Sequence, residues 1–255
     1  MQILSAEEGD PVALENVVAR GRAIIVCEHA SRRMPEALGT LGLSAEALSS
    51  HIAWDPGALA VARLLATSLD ATLVHQRFSR LVYDCNRPPC SPAAMPEKSE
   101  VYDIPGNREL DQAARDARTA ALYEPFRTAL ARLVRARMAE GRAPVVVTVH
   151  SFTPVYFGRP RDVEIGILHD ADSRLADAML AAAARDGGYA VRRNEPYGPE
   201  DGVTHTLKEH GLVNGLANVM IEVRNDLVRD EAGERAVADY LAGLLGEGLA
   251  SLEQG

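Results

Sequence analysis

The stretch Val219-Met220-Ile221-Glu222-Val223-Arg224-Asn225 places a glutamate inside an otherwise apolar run. Runs of this kind, rich in β-branched residues, predict strands buried on both faces of a parallel sheet. A carboxylate there costs several kcal/mol unless it is paired, hydrogen-bonded or beside a metal. A second run, Val145-Val146-Val147-Thr148-Val149-His150, ends in histidine, and a third, Ile24-Ile25-Val26-Cys27-Glu28-His29, ends in Glu-His. Open parallel sheets bind their ligands just beyond the carboxyl ends of the strands, so His29 and His150 are expected on one edge, near Glu222. Two imidazoles and a carboxylate are a common donor set for a catalytic zinc, which keeps one position open for water. The chemistry this points to is metal-assisted hydrolysis.

The third ligand has two candidates. Glu28 adjoins His29, but neighbours on a strand point to opposite sides unless the chain has already turned. Asp55 precedes Pro56-Gly57, where an aspartate is also a typical helix cap; both roles could hold together. In Ser79-Arg80-Leu81-Val82-Tyr83-Asp84-Cys85-Asn86-Arg87-Pro88 a strand-like stretch delivers Asn86 and Arg87 into a proline-rich loop. A guanidinium fork matches a carboxylate, although pairing with Asp84 at the surface would explain an arginine here equally well. Arg224, two residues after Glu222, is expected on the same side, as a substrate contact or as the partner that holds the glutamate. Arg127, Arg132, Arg135, Arg137 and Arg142 read as the solvated face of a helix. His51, His75 and His169 show no acidic companions in the sequence, and His205 and His210 read as helix-surface residues.

The elements that would position these groups alternate. Strands are predicted at 24–27, 72–75, 81–83, 145–150, 163–169 and 219–223. Helices are predicted from Asp55-Pro56-Gly57 to about 69, over 107–139 with a break at Pro125, over 173–186, over 204–210 and from 230 to about 252. This alternation predicts an α/β layered fold with a largely parallel sheet, and nothing divides residues 1–255 into more than one domain. The stretch from Asn86 to Gly106 holds Pro88, Pro89, Pro92, Pro96 and Pro105, and reads as a lid or binding loop.

Composition bounds the partners. A net charge of −9 argues against an electrostatic grip on nucleic acid or an anionic membrane. No apolar stretch approaches the roughly 20 residues that span a bilayer, and no secretory signal is visible. Three cysteines without paired short spacings are simplest to reconcile with a reducing cytoplasm. No Gly-x-Ser-x-Gly elbow or phosphate-binding loop occurs, which weakens serine-hydrolase and nucleotide-enzyme readings.

Taken in order, Cys27-Glu28-His29-Ala30-Ser31, Met34-Pro35, Trp54-Asp55-Pro56-Gly57-Ala58, the segment around Asp84-Cys85-Asn86-Arg87, Pro105-Gly106-Asn107, Val149-His150-Ser151-Phe152-Thr153-Pro154 and Ile221-Glu222-Val223-Arg224-Asn225-Asp226-Leu227 resemble the N-formylglutamate amidohydrolase family. The resemblance spans about 24–229. It implies a three-layer, zinc-exopeptidase-like (phosphorylase/hydrolase-like) α/β fold with a mixed, largely parallel sheet. It also implies a zinc enzyme; one zinc per chain would be held by His29, His150 and a carboxylate, with Asp55 preferred to Glu28 on the residues alone. Glu222 would be the general base and Arg80 an oxyanion stabiliser, while Asn86, Arg87 and Arg224 would bind substrate. The substrate implied is a small N-acyl, above all N-formyl, acidic amino acid. One departure stands out: zinc carboxypeptidases and aspartoacylases carry His-x-x-Glu, and the residue three after His29 is Arg32. A metallopeptidase, a deacylase for another acyl group and a non-catalytic binding protein are the rival readings. The sequence is silent on oligomeric state.

Overall fold

The computed structural model describes residues 2–253. Seven strands form the main sheet: β1 (Val12–Glu15), β2 (Ala23–Cys27), β3 (Thr72–Gln76), β4 (Val145–Phe152), β5 (Ile165–Leu168), β6 (Val191–Arg193) and β7 (Asn218–Arg224). Their order is β1-β3-β2-β4-β7-β5-β6. The β3–β2–β4–β7 centre and the β5–β6 pair are parallel, whereas β1 runs antiparallel to β3 and β7 antiparallel to β5. The sheet is therefore mixed and largely parallel, as expected.

The central strands are apolar along their length because both faces are covered. Ile25, Val147 and Ile221 face one cluster, filled by the helices Ala58–Ser68, Arg174–Asp186 and Glu231–Ser251. Ile24, Val26 and Val146 alternate to the other face, where helix Glu124–Ala139 packs through Phe126, Leu130 and Val134. The strand period of two thus builds three layers. Among the described residues no helix is long and apolar enough to cross a membrane.

Several expectations are corrected. Residues 81–83 are not a strand; Leu81, Val82 and Tyr83 are apolar because they lie in a buried turn against the core. The 107–139 stretch is split next to Pro125, as expected: helix Glu124–Ala139 begins one residue before it and holds the proline in its first turn. The stretch changes winding over Thr119–Tyr123, after helix Gln112–Arg118. Strands β1 and β6 were not expected; both are short edge strands with exposed residues, so their apolar signal is weak. The proline-rich 86–106 loop holds a small hairpin, Lys98–Ser99 paired with Tyr102–Asp103. Arg137 leaves the solvated face, burying its side chain to donate to Thr72 Oγ1 at 2.8 Å. His51 and His75 do have acidic companions, Glu100 and Glu15, each at 2.9 Å. His210 is buried, and burial pulls its ring pKa down to about 4.

Candidate active site

Strand β2 ends at Cys27, and the chain turns at once, so Glu28 and His29 no longer alternate as strand neighbours would. His29 O accepts from the backbone N–H of Asp55 at 2.9 Å, which ties the turn to the start of helix Ala58–Ser68. Ser151 ties in the third segment, its hydroxyl donating to Pro56 O at 2.7 Å and its N–H to Asp55 Oδ2 at 3.3 Å. His150 lies inside β4 and not at its end, because the strand continues to Phe152.

These ties bring three buried donor atoms together. Asp55 Oδ2 lies 3.1 Å from His29 Nδ1 and 2.9 Å from His150 Nδ1, and the two imidazole nitrogens are 3.1 Å apart. Asp55 does not cap the helix with its side chain. The cap position falls to Gly57, whose φ of 79° and whose contact with Val228, 2.4 Å from where a Cβ would stand, admit only glycine. The carboxylate is thereby left for the histidines.

The far side of each imidazole meets a carboxylate. His29 Nε2 lies 2.7 Å from Asp84 Oδ1. His150 Nε2 lies 3.1 Å from Glu28 Oε2, at ion-pair distance but off the line of a good hydrogen bond. A proton held at each Nε2 leaves both Nδ1 lone pairs aimed at the same point as Asp55 Oδ2. Without a cation, three electron-rich atoms would face one another there. Donors about 2.0–2.1 Å from a tetrahedral zinc stand about 3.3–3.4 Å apart, close to the spacings seen. The donor set of His29, Asp55 and His150, with its backing carboxylates, therefore fits a divalent metal, while Glu28 meets His150 from behind.

Proton affinities agree. For His150, burial opposes the charge, but Glu28 and Asp55 outweigh it and hold the pKa well above the ordinary value. For His29, burial and Arg80 pull downward, yet Asp84 and Asp55 leave the net shift upward. Asp55 is depressed despite its burial, by both histidines and Arg80. The metal-free centre thus balances its acids with protons that a metal would displace.

Glu222 is buried, and its Oε2 has no hydrogen-bond partner among the described residues. Burial is the main reason its pKa is pushed up to about 7, with His150 opposing and Asp55 adding. It lines a cavity of about 510 Å³ together with His29, Asp55, Arg80, Asn86, Arg87, Arg161 and Tyr197. Arg80 donates to Asp84 Oδ2 at 2.6 Å and to Asp55 Oδ1 at 3.3 Å, so its charge stands beside the donors. Asn86 is committed to the protein: its Nδ2 donates to Val203 O at 2.5 Å and its Oδ1 accepts from Thr206 N at 2.9 Å. Arg87 donates to Asp201 O at 2.7 Å and forms no ion pair among the described residues.

Of the expected site residues, His150 lies buried behind the cavity wall and Arg224 stands apart from it. Arg224 is held by Asp226 at 2.7 Å and Glu164 at 3.4 Å. It is accordingly not the partner of Glu222. Arg161 does line the cavity and was not singled out from the sequence, whose only hint is the aromatic cluster of Phe152, Tyr156 and Phe157 before it.

No curated protein matches the chain. Gene product Atu2144 from Agrobacterium tumefaciens has a crystal structure similar to this one, with 62% sequence identity and a TM-score of 0.97 over 99% of this chain and 100% of that one. The N-formylglutamate amidohydrolase from Ralstonia eutropha JMP134 shares the fold, at 19% identity and a TM-score of 0.68 over 96% of this chain and 99% of that one. The family model for N-formylglutamate amidohydrolase matches residues 21–229, a span that contains His29, Asp55, His150 and Glu222. The chain belongs to the N-formylglutamate amidohydrolase family, and it is a hydrolase acting on an amide bond.

Proposed function

We propose that this protein is a zinc-dependent amidohydrolase that releases formate from an N-formyl acidic amino acid, with N-formylglutamate as the leading substrate. The observation that carries the proposal is the convergence of His29 Nδ1, His150 Nδ1 and Asp55 Oδ2 beside a cavity lined by His29, Asp55 and Glu222, whose Oε2 has no hydrogen-bond partner among the described residues. When bound by His29, Asp55 and His150, zinc supplies Lewis-acid polarisation and makes water a better nucleophile near neutral pH.

The chain's own residues do the rest. Glu222, buried on the cavity wall, takes the proton of the attacking water and returns it to the leaving amine. Arg80, fixed by Asp55 and Asp84, places a permanent positive charge where the carbonyl oxygen gains negative charge. Arg87 offers the fork for a substrate carboxylate. Asn86 shapes the site by holding the 203–206 loop.

The test is formate release from N-formylglutamate, with N-acetylglutamate as comparison, before and after chelation and zinc restoration. Formate release that follows zinc content supports the proposal. Cleavage of only the acetyl compound would reassign the substrate, and unchanged activity after complete zinc removal would overturn metal dependence. Glu222→Gln should keep its zinc and lose about 10²–10⁴ in turnover.

A further inference from the structure

Arg161 ends a short hairpin, Val155–Tyr156 paired with Arg159–Pro160, and its backbone N–H donates to Pro154 O at 2.9 Å. Its guanidinium carbon lies 4.5 Å from the ring centre of Tyr156, 4.9 Å from that of Tyr197 and 5.5 Å from that of Phe152. Phe152 and Tyr156 precede Arg161 on the same stretch, and Tyr197 comes from a segment distant in the sequence. The guanidinium donates a long hydrogen bond from Nη1 to Thr153 O at 3.4 Å, and it stands beside the Tyr197 hydroxyl, on which its charge and a hydrogen bond both bear. Among the described residues no aspartate or glutamate forms an ion pair with it.

The other arginines near the site differ. Arg80 is neutralised by Asp55 and Asp84, and Arg224 by Asp226 and Glu164. Arg87 and Arg161 line the cavity, and among the described residues neither has a carboxylate partner. Aromatic faces stabilise a cation but leave its N–H fork free, and they hold the side chain in one orientation before any ligand arrives. A caged, unneutralised guanidinium in a partly enclosed cavity is built for an anion that the ligand brings, and its planar fork suits a carboxylate.

We propose that Arg161 is a specificity-determining residue, the subsite for a second carboxylate on the substrate, distal to the one held by Arg87. This rests on the reading of Arg87 and of the substrate class given above. Two unpaired guanidiniums on separate segments then select ligands that carry two anionic groups.

The test uses zinc-loaded protein and two readouts. The first is kcat/KM for N-formylglutamate, N-formylglutamine and N-formylisoglutamine; the second is equilibrium binding of glutamate against glutamine. The parent should favour the free side-chain acid by about tenfold or more in both, the size of one charge-assisted contact. Arg161→Met should bring that preference within about twofold while the penalty for amidating the α-carboxyl persists. Arg161→Lys should recover only part of it, and it serves as the second variant should Arg161→Met fold poorly. A glutamate preference that survives in Arg161→Met, or one absent from the parent, would overturn the assignment. Should none of the formyl compounds be hydrolysed, the proposed substrate fails, and the glutamate-to-glutamine ratio still decides the role of Arg161.

Discussion

Glu222 and His150 occupy paired register positions on the adjacent parallel strands β7 and β4, so their side chains leave the sheet on the same face. One of them turns an imidazole toward Asp55, and the other carries a carboxylate with an unsatisfied oxygen. The pairing explains how an acid can be kept in an apolar strand: it stands one strand away from the donor cluster and opens into the cavity. It also separates Glu222 from Arg224, whose guanidinium is bound by Asp226 and Glu164.

A pH-dependent stability follows for the metal-free protein. Glu222 titrates at about 7 when folded, against an ordinary value of 4.5. A raised carboxyl pKa means that stability is fully present below the unfolded value and is lost as pH rises through the folded one. The difference corresponds to about 3 kcal/mol. Glu222→Gln lacks this titration. In chelated protein, urea unfolding should find parent and variant alike near pH 4.5, and the variant more stable by up to about 3 kcal/mol near pH 8. A variant less stable than the parent at pH 8 would mean that Glu222 has a cationic partner after all.

The donors and the carboxylates behind them should separate by the size of their effect on metal. Asp55→Asn and His150→Ala remove donors and should abolish stoichiometric zinc. Glu28→Gln and Asp84→Asn only loosen the imidazoles from behind, and should weaken zinc binding about 10–100-fold. Competition titration against a chromophoric chelator reads both. If Glu28→Gln loses zinc as completely as Asp55→Asn, Glu28 is a donor and the assignment of the trio is wrong.

What the sequence disclosed and what it hid divide along physical lines. His29, His150 and Glu222 were legible because a polar group inside or just after a β-branched apolar run has a cost that needs explaining. Asp55 was legible only as an alternative, since aspartate before proline serves a helix end equally well; in the structure Gly57 takes the cap and Asp55 Oδ2 faces both histidines. Glu28 depended on whether the chain turned after Cys27. The hold of Asn86 on Val203 and Thr206 was not legible, because those partners lie more than a hundred residues away in the chain. Arg137 hid in the same manner, its partner Thr72 being on another element. The Arg161 cage needs Tyr197 beside Phe152 and Tyr156, which only the fold assembles.

Arg87 has a planar fork with one contact to backbone, at Asp201 O. If it grips the α-carboxylate, Arg87→Lys should lower kcat/KM by about 10–100-fold, since a point charge does not reproduce two parallel hydrogen bonds. Substrates amidated at the α-carboxyl should be poor for the parent and should lose little more in the variant. Equal turnover of acid and α-amide by the parent would remove this role.

Asn86 should act through the loop it holds. Asn86→Ala leaves Val203 O and Thr206 N without their buried partners, a loss of about 1–3 kcal/mol. The 201–206 segment also supplies the Asp201 carbonyl that positions Arg87, so the damage should reach the carboxylate anchor. Amide hydrogen exchange should quicken across 203–206, KM should rise, and kcat should fall less, because neither the donor cluster nor Glu222 is touched. Unchanged exchange in this segment, together with a drop in kcat as large as that of Glu222→Gln, would show that Asn86 meets the reacting amide directly.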